Sequence, residues 1–113
     1  MPSREFKLRL QDMLTEIAIV EKTVAGLTYE IFAKNEQALR VVLYSLAVIG
    51  EVVASSNDAL EAANSELPWQ QIRGMRNMVI HEYFQLDLET VWETTQSDLP
   101  MLKSALQEIL ENL

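Results

Sequence analysis

The stretch Gln37-Ala38-Leu39-Arg40-Val41-Val42-Leu43-Tyr44-Ser45-Leu46-Ala47-Val48-Ile49-Gly50-Glu51-Val52-Val53-Ala54-Ser55-Ser56 decides the fold. Wound at 3.6 residues per turn, it is apolar around most of its circumference, with Arg40, Ser45 and Glu51 as interruptions. Such a helix must be covered on nearly all sides, by its own chain or by a partner subunit. A chain of 113 residues has few other helices to do this. Ala47 and Ala54 are seven apart with Gly50 between them on nearly the same face, a strip that lets another helix approach closely. The strip reads as a dimer seam, and ordinary intrachain packing is the competing reading.

On either side the signals stay helical. Asn35 is a helix cap with Glu36 in the first turn, where a carboxylate suits the helix dipole. Upstream, Leu10, Leu14, Ile17, Val20, Val24 and Leu27 follow helical spacing, with Ser3 as a cap, Gly26 near the end and a short Tyr29 to Phe32 segment after it. Downstream, residues 57–67 suit a short helix or an ordered loop, and Pro68 fits the first turn of a helix from Trp69 to about His81. Asp87 caps a short Leu88 to Thr95 helix, and Ser97 or Asp98 with Pro100 opens a last helix, Leu99 to Leu113. Three glycines, three prolines and no sustained period-two alternation complete the pattern. The expectation is one all-α domain over residues 1–113, a bundle of four or five helices arranged as a two-fold homodimer.

Composition narrows the chemistry. There is no cysteine and only one histidine, which excludes disulfides and thiolate metal sites and argues against a histidine-based metal site within one subunit. No metal or cofactor is expected. The longest apolar stretch, residues 38–54, carries Arg40, Ser45 and Glu51, and the amino terminus lacks the apolar core of a signal peptide. A soluble cytoplasmic protein without a membrane partner is expected. The net charge of −8 argues against a general nucleic-acid coat protein, since counterion release needs a dense cationic surface. Locally the sign reverses: from Trp69 to Phe84 the charged residues are Arg73, Arg76 and Glu82.

That positive stretch holds Arg76-Asn77-Met78-Val79-Ile80-His81-Glu82-Tyr83, with the single histidine. Ile72, Met75 and Val79 form an apolar stripe facing the core. Arg73, Asn77 and His81 follow at four-residue steps along one flank, so an Asn77 to His81 hydrogen bond would fix the imidazole tautomer. Arg76 and His81 are five apart, about 140° around a straight helix. A compact site therefore needs a loosened helix end, a bent arginine, or two copies facing each other across a two-fold axis. Glu51, a carboxylate within the apolar helix, calls for a cationic partner, Arg73 or Arg76, and its simplest role is to orient an arginine. Trp69 and Trp92 anchor helix ends against the core.

The run Pro68-Trp69-Gln70-Gln71-Ile72-Arg73-Gly74-Met75-Arg76-Asn77-Met78-Val79-Ile80-His81-Glu82-Tyr83-Phe84 resembles the signature of the HepT-like branch of the HEPN superfamily. Ile49-Gly50-Glu51, Asp87-Leu88-Glu89, Val91-Trp92 and Asp98-Leu99-Pro100 resemble that branch too. The resemblance implies a HEPN-type helical bundle and a metal-independent endoribonuclease, the toxin of a type VII toxin–antitoxin pair. Its implied partner is an MntA-type minimal nucleotidyltransferase antitoxin that transfers AMP to a motif tyrosine. Carried onto this chain, Arg76 and His81 become the catalytic pair, Tyr83 the AMP acceptor, and Asn77, Arg73 and Glu51 supporting residues. Glu82 stands where many relatives carry glycine, and its carboxylate would raise the histidine pKa or repel phosphate.

The residue types suit that reaction. Metal-free RNA cleavage needs a base for the 2′-hydroxyl proton, an acid for the leaving oxygen, and positive charge near the phosphorane. An imidazole with a reference pKa of about 6.5 serves as acid or base, and a guanidinium offers a planar fork of donors to the phosphate oxygens. The alternative is a catalytically silent acceptor or binding subunit of a nucleotidyltransferase.

Overall fold

The computed structural model describes residues 4–81 and 87–113, the side chains of residues 78–81 excepted. Among the described residues every regular element is helical: α1 (Arg4–Val24), α2 (Tyr29–Lys34), α3 (Glu36–Ala63), α4 (Trp69–His81), α5 (Leu88–Glu93), a π-helical turn (Thr94–Asp98) and α6 (Leu99–Glu111).

α1 buries Phe6, Leu10, Met13, Ile17, Val20 and Val24, alternating steps of four and three that make one stripe. Leu14 and Leu27 are only partly buried against the core, while Phe6 and Met13 join it. Gly26 then turns the chain with φ of 77°, a left-handed conformation that glycine adopts without steric cost. The expected cap Ser3 lies outside the described residues.

The hinge between α2 and α3 is a single residue. The Asn35 backbone N–H donates to Phe32 O at 3.0 Å, and its side-chain Oδ1 accepts from Ala38 N at 3.0 Å. One asparagine thus closes one helix and opens the next.

α3 runs past its expected end. At Ser56 the backbone leaves helical values (φ −122°, ψ 17°), so the helix kinks there and then continues to Ala63. Burial of Leu60 gives the continuation an anchor. The segment after it is tied down by Trp69, whose indole Nε1–H donates to Asn64 O at 2.6 Å. Pro68 sits just before α4 and offers its carbonyl to Ile72 N at 3.1 Å.

The last helix also differs from expectation. Asp87 caps α5 as expected, accepting from Glu89 N and from the Thr90 hydroxyl. Asp98, however, has helical φ/ψ and makes no capping bond, so α5 passes through the π-helical turn into α6 without a break. The physical reason is Pro100. A proline inside a regular helix lacks an N–H and presses its ring on the carbonyl four residues back, and a widened turn before it relieves that contact. The buried hydroxyls of Thr94 and Thr95 donate to Thr90 O and Trp92 O.

In the assembled bundle, α3 is central, packed by α1 and α4, while α6 packs against α1, and α2 against α3 and α5. Lys103 on α6 bonds Glu21 on α1 at 3.1 Å. Trp92 packs over Phe32 with ring centroids 5.1 Å apart, and Trp69 is only 2 % exposed, so both tryptophans anchor helix ends. The strip around Gly50, expected to be either a dimer seam or an intrachain contact, receives the chain's own α4. What α3 leaves uncovered is a narrower stripe with Val41 and Tyr44, the latter 69 % exposed.

Candidate active site

The site is built at the α3–α4 crossing. Ile72, Met75 and Trp69 pack α4 onto the core, as the apolar spacing requires. This orientation brings Arg76 to the edge of the contact, beside Gly50 and Glu51 of α3. Arg76 Nη1 donates to Glu51 Oε2 at 2.5 Å. Of the two arginines offered as partners for Glu51, Arg76 is therefore the one bonded.

Glu51 is less buried than its apolar neighbours suggest. Its side chain is 61 % exposed and that of Arg76 32 %. The pair is a rim contact, with solvent on the carboxylate side and helix packing on the arginine side. Glu51 also lines a shallow groove of about 340 Å³ with Arg9, Asp12, Thr15, Glu16, Val48 and Val52. Three carboxylates and Arg9 thus stand along the α1–α3 groove, and one of the three, Glu51, is the carboxylate that Arg76 bonds.

Arg73 and Asn77 are exposed on α4, on the flank expected from their four-residue spacing. His81 is the last residue of α4, and its side chain lies outside the description, as do Glu82 and Tyr83 altogether. The structure thus joins Glu51 to Arg76, places Arg73 and Asn77 in solvent, and leaves the expected Asn77 to His81 bond outside the described residues. Arg40, an interruption in the apolar stretch, bonds Glu36 at 3.0 Å one helical turn away, both side chains being exposed.

One contributor was visible in the sequence but assigned to a different neighbour. Gly50 stands directly under α4, with the backbone of Arg76 against it. Its signal was the spacing of small residues at 47, 50 and 54, which reveals a close helix contact and not which helix makes it.

Where α2 meets α5, the Tyr29 phenol is pushed above its ordinary pKa by desolvation, then by the carboxylates of Glu89, Asp87 and Glu30. It faces Trp92 with ring centroids 6.4 Å apart.

Comparison with known proteins bears on this arrangement. Residues 13–109 match the family model described as ribonuclease HepT-like. A presumed RNase of Caldanaerobacter subterraneus subsp. tengcongensis is 34% identical over 102 residues, 90% of this chain and 91% of that protein. A presumed RNase of Methanocaldococcus jannaschii is 32% identical across all of this chain and 97% of its own length. A protein of Thermococcus cleftensis named as a probable ribonuclease HepT is 27% identical over 94% of this chain and 96% of its own. No solved structure gives a significant match.

Proposed function

Because the chain belongs to the HepT-like ribonuclease family, we propose that it is a metal-independent endoribonuclease in which Arg76 and His81 form the catalytic pair. The observation that carries the reading is Arg76 itself. It is the motif cation held at the α3–α4 crossing, with its side chain partly exposed and, among the described residues, one N–H engaged, by Glu51. A guanidinium has five N–H donors, so donors remain for a phosphate.

In the proposed reaction, one imidazole removes the 2′-hydroxyl proton and the 2′-oxygen bonds to phosphorus. The 5′-oxygen leaves and takes a proton from an acid, giving a 2′,3′-cyclic phosphate and a 5′-hydroxyl. Arg76 offsets the charge on the non-bridging oxygens as the phosphorane forms. Two copies of the chain, related by a two-fold axis, supply one imidazole as base and the other as acid. This overcomes the separation of Arg76 and His81 around one helix. The exposed α3 stripe with Val41 and Tyr44 supports a homodimer, since it sets two large apolar side chains in solvent on a helix whose other apolar faces pack against α1 and α4.

Control falls to Tyr83. An MntA-type nucleotidyltransferase antitoxin transfers AMP from ATP: the phenol oxygen attacks the α-phosphorus, pyrophosphate leaves and the phenol proton passes to a base. The added phosphodiester competes with RNA phosphate for the arginine. The protein then acts in the cytoplasm as the toxin of a type VII pair, with Arg73, Asn77 and Glu51 as supporting residues.

A second reading, a silent acceptor subunit of the same transferase, is favoured by the carboxylates Asp12, Glu16 and Glu51 lining one groove, of which Glu51 bonds Arg76. One experiment separates the two. The protein purified alone is incubated with RNA beside His81→Ala, and the protein co-expressed with the transferase is weighed intact and mapped. Cleavage that His81→Ala abolishes, with AMP mass on Tyr83, is expected. Modification without cleavage by the unmodified form would establish the acceptor subunit instead.

A further inference from the structure

Gly50 of α3 and Arg76 of α4 meet with no side chain between their backbones. A methyl group on Gly50 would lie 2.7 Å from Arg76 N, 2.9 Å from Arg76 Cβ and 3.1 Å from Arg73 O. Two of these three atoms are backbone and the third is the carbon that starts the arginine side chain, so no side-chain rotation relieves the overlap. The helix itself has to move. The next residue, Glu51, accepts from the tip of the same arginine. Consecutive residues of α3 thus address both ends of Arg76: Gly50 sets the height of its backbone, and Glu51 sets where its guanidinium rests.

We infer that Gly50 is a positioning residue for Arg76, because its missing side chain lets α4 sit low enough on α3 for the guanidinium to reach Glu51 and turn its remaining donors outward. The inference rests on Arg76 being the phosphate-binding arginine of an RNA-cleaving site. A side chain at position 50 lifts α4 at the residue whose placement matters most to the reaction. A misplacement of about 1 Å can cost up to about 100-fold in rate. Loss of packing elsewhere in the bundle lowers stability and leaves this geometry intact. Gly50 therefore acts on turnover beyond its effect on folding.

The test compares Gly50→Ala and Glu51→Ala with Leu106→Ala, a buried position on α6 remote from the crossing in the chain. For each, kcat and KM on an RNA oligonucleotide are measured below the unfolding midpoint. The ¹⁵N–¹H signal of the Arg76 side-chain Nε is recorded as well, assigned by its loss in Arg76→Lys. Gly50→Ala is expected to lower kcat by about tenfold or more and to shift the Arg76 signal. Leu106→Ala is expected to lose at least as much thermal stability with kcat and signal unchanged. Glu51→Ala, at an exposed site that does not threaten folding, is expected to shift the same signal.

A folded Gly50→Ala protein with the wild-type kcat and Arg76 signal would overturn the inference. If Gly50→Ala fails to fold, an unshifted signal in Glu51→Ala overturns it just as well. Should the wild-type protein leave RNA uncut, the nuclease reading fails by itself, and the Arg76 signal alone decides whether Gly50 and Glu51 seat the arginine.

Discussion

Arg76 on α4 and Glu51 on α3, 25 residues apart in sequence, are joined side chain to side chain at the rim of the helix crossing. Their side chains are 32 % and 61 % exposed, which makes the pair weak as a stabilising contact. Exposed ion pairs contribute roughly 0–1 kcal/mol. Arg76→Gln keeps much of the stem against α3 and is expected to lower stability by less than about 1 kcal/mol. The same change is expected to lower RNA cleavage by about 10²–10³-fold, the scale of losing one preorganised donor group. Denaturant unfolding and cleavage rates on the same preparation check both. A large stability loss with little loss of rate would mean that the arginine is a structural residue.

The glycines at 26 and 74 are expected to respond to alanine with opposite signs. Beyond its own chain neighbours and helix backbone, neither would bring a new Cβ within 4 Å of an atom among the described residues, so packing does not decide the outcome. Gly26 has φ of 77°, where an L-residue is strained by about 1–2 kcal/mol, so Gly26→Ala destabilises by about that amount. Gly74 lies inside α4 with ordinary helical geometry, and Gly74→Ala is expected to stabilise by about 0.5–1 kcal/mol. Thermal midpoints of the two variants, moving in opposite directions, are the measurement.

Asn35 serves two helices, through its backbone N–H on one side and its side chain on the other. Alanine preserves the first bond and removes the second. The expected cost is about 1 kcal/mol, with Asn35→Asp close to wild type because a carboxylate also accepts from Ala38 N. Equal losses in both variants would show that the side-chain bond contributes nothing.

At high pH the Tyr29 phenol is expected to weaken the fold. Its folded pKa is raised above the ordinary value of 10.0, by desolvation first and then by Glu89, Asp87 and Glu30. The folded state therefore holds this proton after the unfolded state has released it, so stability falls as pH rises from about 10 toward the raised folded value. Below that range the group has no effect on the pH dependence. Tyr29→Phe cannot ionise, and its unfolding midpoint should fall less steeply between pH 9.5 and 11 than that of the wild type, by about the share of one titrating group. Parallel curves for the two proteins would assign the alkaline loss to other groups.

Much of the architecture was readable because its causes are local. The spacing in α1, the caps Asn35 and Asp87, the turn at Gly26 and the start of α4 near Pro68 all depend on contacts within a few residues of chain. Boundaries failed where the deciding contact was distant or alternatives were nearly equal. The continuation of α3 beyond Ser56 is anchored by the burial of Leu60, and the chain around Pro100 widens one turn where a new helix start was expected.

For the site the division is similar. The amino-acid sequence by itself determined which residues are chemically able to act, since a permanent cation, an imidazole and a phenol are properties of residue type, and that Glu51 wants a cation. Only the tertiary structure decided that the cation is Arg76 and that the small residue at 50 faces α4 instead of another subunit. Periodicity tells which face of a helix is apolar or small; which other helix meets that face is set by how all the buried faces are covered at once.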